Sequence, residues 1–195
     1  MNKSIISIAI VAVTALGLNK STYAAAKSTE EVTTLSEVTR INKIEVHGNV
    51  ELFVSDGTTD QVKVYNKYYS ENALVQDQNG VLRITSYGTQ KLVVWVKASN
   101  LSNLSAYDNA DIKSFGKLSA IDLGVQLHDN AAAHLNIDAY QANITLSDYS
   151  KADLSGDITE SVIQHDISSS VNTTNLAVAH LTKKLNTNAA ELASL

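Results

Sequence analysis

The sequence predicts an all-β protein, a parallel β-helix-like solenoid with an antiparallel, hairpin-rich N-terminal β region. Three observations carry this expectation. From Ile41 onward apolar and polar side chains alternate with period two, as in Lys43-Ile44-Glu45-Val46, and no stretch of this half holds a 3.6-residue apolar stripe. Asn79-Gly80, set between Leu74-Val75 and Val81-Leu82-Arg83-Ile84, is a two-residue hairpin signal. The second half then repeats on an aspartate, at Asp108, Asp129, Asp148 and Asp166, with intervals of 21, 19 and 18 residues. A period near 20 with short apolar runs marks stacked β-coils.

Along the chain, residues 1–26 read as an export signal. Met1-Asn2-Lys3 is a basic start, Ile5 to Leu18 is uncharged and apolar, and Ala24-Ala25-Ala26 offers small residues for cleavage. The apolar run is short for a bilayer span, which needs about 18 residues or more. Residues 27–39, rich in Ser, Thr and Glu, are expected to be a flexible leader, and residues 40–175 a single β domain. Within it, Val50-Glu51-Leu52-Phe53-Val54 and Val62-Lys63-Val64-Tyr65 are strands. Leu92-Val93-Val94-Trp95-Val96 is apolar throughout and is expected to be buried on both faces. In each repeat the second and fourth residues before the aspartate are expected to point inward, stacking Val125 and Leu127 on Ile144 and Leu146 and turning Gln164 into the core. A further apolar position recurs at Ile112, Leu135, Leu154 and Val171. Residues 176–195 are expected to form a C-terminal cap or tail, with a short helix over Leu181 to Leu192.

Composition excludes several classes. The 195 residues include 15 Lys and Arg against 20 Asp and Glu, a net charge of -5, and loss of Lys3 and Lys20 with the signal makes it -7. An acidic chain argues against nucleic acid and anionic membranes as partners. With no cysteine there is no disulfide, thiolate metal site or thiol nucleophile. The absence of proline suits a fold in which nearly every strand N–H joins a ladder.

The aspartate column Asp108, Asp129, Asp148 and Asp166 invites a metal or catalytic reading. However, aspartate also caps tight turns through its own backbone, and the Gly-Gly-x-Gly-x-Asp repeat of calcium-binding solenoids is absent, so turn capping is favoured. His128 and His165 share one expected column but lie two coils apart, about 9–10 Å, too far to ligate one zinc ion. His47, His134 and His180 show no zinc-site spacing. No phosphate loop, Gly-x-Ser-x-Gly elbow or His-Glu-x-x-His motif is present. The sequence therefore assigns no catalytic, metal-ligating or cofactor-binding residue. Among the tyrosines Tyr65, Tyr68, Tyr69, Tyr87, Tyr107, Tyr140 and Tyr149, the pair Tyr68-Tyr69 in a polar connection is the best surface candidate.

The stretch from Ile41 to Val54 with its Gly48 turn, Gln61 to Tyr65, Gly80-Val81-Leu82-Arg83-Ile84 and Leu101-Ser102-Asn103-Leu104 resembles the head GIN domain family of auto-transporter adhesins, common among exported proteins of Bacteroidetes. The turns Tyr107-Asp108-Asn109-Ala110, His128-Asp129-Asn130-Ala131 and Ser147-Asp148-Tyr149-Ser150 are similar to that family's repeated turns. The aspartate replaces its Ser-Gly form, and its usual closing segment is not legible after Val171. The resemblance covers residues 40–175. It implies a parallel β-helix-like domain, an adhesion role and no catalytic residues to carry over. The expected product is an exported, non-enzymatic binding module, periplasmic or extracellular, with envelope glycans or proteins as partners. The alternatives are an envelope structural or lipid-handling protein and, third, a β-helix carbohydrate enzyme.

Overall fold

A computed structural model describes residues 32–35, 38, 40–65 and 72–186. Residues 1–26, expected to be an export signal, Tyr68-Tyr69 and residues 187–195 lie outside the described residues. The described chain is all-β, with thirteen strands in a single sheet. In chain order these are β1 (Val32–Leu35), β2 (Lys43–Gly48), β3 (Val50–Asp56), β4 (Gln61–Tyr65), β5 (Ala73–Gln78), β6 (Val81–Ser86), β7 (Leu92–Ala98), β8 (Asn103–Ala106), β9 (Asp111–Ser114), β10 (Leu118–Leu127), β11 (Ala132–Leu146), β12 (Lys151–Asp166) and β13 (Ser170–Asn186).

Pairing is mostly parallel and between segments far apart in sequence. β10, β11, β12 and β13 lie side by side in that order, and β8 joins β10. The register places Val125 beside Leu104, Ile144 beside Val125 and Ile163 beside Ile144. Ile44 and Leu82 extend this row on the other side of Leu104, so six apolar side chains stack across six strands, each at most 1% exposed. A second row runs Ile84, Val46, Ala106, Leu127 and Leu146, all fully buried. Burying each large member fully is worth about 1.5–3 kcal/mol. Successive residues point to opposite faces of a strand, so one apolar residue in two fills these rows and the rest face out.

The first half is threaded out of order. β2 sits between β6 and β8, and β3 between β7 and β9, all parallel. After β3 the chain moves outward through β4, antiparallel to β7, and β5, antiparallel to β6, before returning on the far side of β2. The antiparallel pairing expected of this half is thus confined to β1–β4–β7 and β5–β6. The β5–β6 connection is the expected Asn79-Gly80 turn. Both residues have positive φ (54° and 80°), the requirement of a type I′ hairpin, and the Gly80 carbonyl accepts bonds from the N–H groups of Asn42 and Lys43. Asp60 ties the entry to β2 to the exit from β7, its carboxylate accepting from the Ile41 N–H and the Ser99 N–H at 2.7 Å each. Partial burial raises the Asp60 pKa, but the bonds from Ser99 and Ile41 outweigh it and hold the carboxyl below its ordinary value.

Several sequence expectations are corrected. Residues 32–35, expected in a flexible leader, form β1 against β4. Leu181 to Asn186, expected to be helical, are the end of β13, a 17-residue strand that also runs through the boundary placed after residue 175. Leu181, Lys184 and Leu185 have helical spacing, but the parallel ladder with β12 holds them in a strand. Leu92–Val96 is buried on one face only, since Leu92, Val94 and Val96 face inward while Val93 and Trp95 stay partly exposed. Gln164 does not enter the core. Ile163 pairs with Ile144, which puts Gln164 beside Thr145 on the outer side, where its amide donates to Asn186 Oδ1 at 2.6 Å. Finally, Ile112 and Val171 share a row with Ala133 and Ala152, while Leu135 and Leu154 form the next one.

The stacked rows should dominate stability. Ile144→Ala, at 1% exposure, is expected to cost about 2–5 kcal/mol in urea unfolding. Ile121→Ala, at a residue 83% exposed, should cost no more than about 0.5 kcal/mol. Asp60→Asn should cost about 1–2 kcal/mol near neutral pH. Because the folded Asp60 carboxyl titrates below the ordinary 3.8, its contribution is complete above that pH and is lost as pH falls through the lower, folded-state value. The gap between Asp60→Asn and the parent chain should therefore close in acid; a gap independent of pH would contradict the carboxylate's role.

Candidate functional surface

The aspartate column is built at the turns between strands. Asp108, Asp129 and Asp148 have positive φ near 60°, a conformation that Asp tolerates better than most residues, and Gly48 takes the same place in the turn after β2 with φ 82°. Each carboxylate reaches to the neighbouring turn. Asp108 accepts from the Gly48 N–H at 2.9 Å, Asp129 from the Asp108 N–H at 3.0 Å, Asp148 from the Asp129 N–H at 3.2 Å and Asp166 from the Asp148 N–H at 3.0 Å. The aspartates thus serve the turns, but through one oxygen each and toward the neighbouring turn, where the sequence led us to expect bonds to their own backbone.

The fourth aspartate is out of register with the other three. The turn bond from Ser169 N–H to the Asp166 carbonyl matches those from Ser150 to Ser147 and from Ala131 to His128, so Asp166 stands where Ser147 and His128 stand. The turn position proper falls to Ile167, whose β-branched side chain disfavours positive φ. The shift also separates the histidines expected to share a column. His128 stacks on Tyr107, which stacks on His47, with ring centroids 4.8 and 4.3 Å apart and planes within 3°. His165 instead pairs with Leu146 and bonds the Asp166 carbonyl through Nδ1. Among the described residues no group of three or more His, Asp or Glu side chains is arranged to hold a metal.

A chemically distinct surface lies on the outer side of β4, β7, β3 and β9. Trp95 pairs across to Lys63 on β4 and to Phe53 on β3, and Phe53 pairs to Lys113 on β9. The Phe53 and Trp95 rings stack at 4.7 Å and 21°, Phe115 tilts against Trp95 at 5.4 Å and 57°, and the Lys113 ammonium lies 5.8 Å from the Phe53 centroid. Phe115 is 65% exposed. Lys113 is paired with Glu51 and Asp111. Its hydrogen bond to Glu51, then that to Asp111, raises the Lys113 pKa, and the same Lys113 bond keeps Glu51 below its ordinary value. This patch escaped the sequence reading, which singled out tyrosines and took Leu92–Val96 as buried on both faces. The available signal was parity: Phe53 and Trp95 occupy the odd positions that face outward between Leu52 and Val54 and between Val94 and Val96.

A second feature is a shallow groove of about 420 Å³ lined by Asp138, Ala139, Asp157, Ile158, Thr159 and the segment from Ala177 to Ala179. At its wall the Lys117 ammonium bridges Asp138 at 3.4 Å and Asp157 at 3.2 Å, and these contacts, Asp157 first, raise the Lys117 pKa. Tyr87, Tyr140 and Tyr149 are exposed at separate places, whereas Tyr107 is sandwiched between histidines.

If the aspartates serve the turns, Asp129→Ala should destabilise the chain by about 1–3 kcal/mol, through the lost acceptor and the strained positive φ. Asp129→Asn, which keeps an acceptor and tolerates that φ, should cost clearly less in the same urea titration. Equal losses would contradict the capping role.

The comparisons with known proteins agree with this architecture. No curated protein sequence matches the chain. A structure described as a "putative adhesin" from Bacteroides fragilis is 12% identical with a TM-score of 0.68, covering 81% of this chain and 78% of that one. Another "putative adhesin", from Parabacteroides merdae, is also 12% identical, with a TM-score of 0.66 over 80% of this chain and 77% of that one. A "putative lipid binding protein" from Parabacteroides distasonis is 9% identical, with a TM-score of 0.57 over 80% and 78%. At these identities the likeness shows a shared fold. The family model described as "Putative auto-transporter adhesin, head GIN domain" matches residues 40–191, and the chain belongs to that family.

Proposed function

We propose that the chain is an exported, non-enzymatic β-solenoid that acts as an adhesin-like binding module of the cell envelope, gripping a glycan or protein through the outer face of β4, β7, β3 and β9. The observation that carries this reading is the aromatic cluster Phe53, Trp95 and Phe115, part-exposed on a broad strand face and flanked by lysines. Amphipathic rings on a rigid surface give contact area at little entropic cost. The parallel rows spaced 21, 19 and 19 residues apart support the solenoid reading, in which each strand–turn–strand unit is one coil. The family's description supports adhesion, and residues 1–26 support export.

The lipid-handling alternative draws on the description of one structural neighbour. The inward rows of the described strands are lined by buried side chains, and the described groove is shallow and flanked by two carboxylates. Carboxylates at its wall disfavour an acyl chain there. The carbohydrate-enzyme reading rests on the aspartates, each of which gives its Oδ2 to a backbone N–H of the neighbouring turn.

A glycan array and a pull-down from envelope extracts, run with the parent chain and with Phe115→Ala, test the binding reading. The parent should capture a specific glycan or protein, and Phe115→Ala should weaken capture about five-fold or more, since a buried aromatic contact is worth on the order of 1–2 kcal/mol at an interface. No capture in either format would remove the proposal.

A further inference from the structure

Resting on that binding-module reading, we propose that the Trp95-centred face takes an anionic polysaccharide, a linear polymer bearing uronate or sulfate groups. The argument starts from how charge is distributed. The chain as a whole carries -5, yet Lys63, Lys97 and Lys113 lie on the outer side of β4, β7 and β9 around Trp95, and Lys91, just before β7, is close enough to Glu51 on that face to lower its pKa. The acidic side chains among them, Glu51 and Asp111, are both spent on Lys113. Lys63 and Lys97 form no ion pair among the described residues, so their charge is available to a ligand.

The spacing fits a polymer better than a point anion. Lys63 stands directly across from Trp95, and Lys97 follows Trp95 by two residues on the same face. Lys91 and Lys97 bracket the strand, about 20 Å apart along β7 at the usual rise per residue. Charges set along a straight strand match charges repeated along a linear chain. Between them, the Phe53–Trp95 pair and the tilted, exposed Phe115 ring offer apolar surface for the C–H faces of sugars. A nucleic acid carries the same charge sign. However, the unpaired lysines on this face are few and widely spaced, which fits a sugar chain with sparse anionic groups better than a strand with a phosphate at every nucleotide.

Trp95 is the only tryptophan, so its fluorescence reports occupancy of this face directly. The full chain would be titrated with polygalacturonate, dextran sulfate and unsubstituted dextran, following Trp95 emission and heat. Both anionic polymers, or one of them, should bind with a shift in Trp95 emission and weaken as salt rises, while dextran does not bind. The polymer that binds more tightly identifies carboxylate or sulfate as the preferred anion. Lys63→Gln with Lys97→Gln should weaken binding about ten-fold or more with an unchanged urea midpoint, and Lys184→Gln, away from this face, should leave it intact. Equal binding by the double variant, or no response to either anionic polymer, would overturn the inference. If the parent chain then captures neutral glycans or a protein through Phe115, the binding-module reading stands without it; if it captures nothing, both fall.

Discussion

The structure depends on one constraint, that each parallel strand sets an apolar side chain directly beside the apolar side chain of the strand before it. Parallel neighbours lie about 4.8 Å apart and in register, so an inward residue has one neighbour above and one below. The row from Leu82 through Ile44, Leu104, Val125 and Ile144 to Ile163 is the clearest case. The same register governs the outside, where side chains must also form columns. There like meets like: rings stack, as in His47–Tyr107–His128 and Phe53–Trp95, and carboxylates line up and must be neutralised. Lys117 does this for Asp138 and Asp157, and Lys113 for Glu51 and Asp111. An outer surface composed of such columns is a set of strips, and strips suit extended ligands.

Where the pattern was strictly local, the sequence was legible. The Asn79-Gly80 hairpin, the alternation in β2 and β3, and the stacking of Val125 and Leu127 on Ile144 and Leu146 follow from two-residue periodicity and turn chemistry alone. Legibility failed where a row is kept by volume and not by residue type. Ala133 and Ala152 fill the positions between Ile112 and Val171, and because alanine carries little hydrophobic signal, the row is masked in the sequence by the larger Leu135 and Leu154 two residues on. It failed again where a polar residue marks one feature and serves another. Asp166 caps the Asp148 N–H as the other aspartates cap theirs, yet it stands one position earlier in its turn, so aligning on aspartate displaced Gln164 and His165 by one residue. The outward threading through β4 and β5 had no signature at all, since parallel partners are chosen by long-range packing.

The two ends of the stack are finished differently. At one side the antiparallel additions β1, β4 and β5 cover the ladder. At the other, β13 pairs only with β12 among the described residues and leaves its second edge open. Lys183, paired in register with the buried Ile163, takes the next place in the inward row, and its ammonium bonds Thr173 Oγ1 at 3.2 Å. A charge in an inward row opposes further pairing, because another strand would bury it. Over residues 181–186 this end of the sheet is therefore a polar strand and not a helix, which the composition of β13 alone does not distinguish.

Net charge misleads about partners because it counts charges that are already committed. Asp56 accepts from the Ser119 N–H, Asp60 from Ile41 and Ser99, and the aspartate ladder from successive turns, while Glu45 is paired with Lys43 and Arg83. These carboxylates are as much part of the backbone's hydrogen bonding as the strands are, and their charge is partly offset by the dipoles they bind. The lysines around Trp95 include two, Lys63 and Lys97, with no such commitment. The composition says that an anion should be repelled, and the accounting by partner says that on this one face it is drawn in. The second statement governs at contact distance, since at physiological salt exposed charges farther apart than about 8 Å are largely screened from one another.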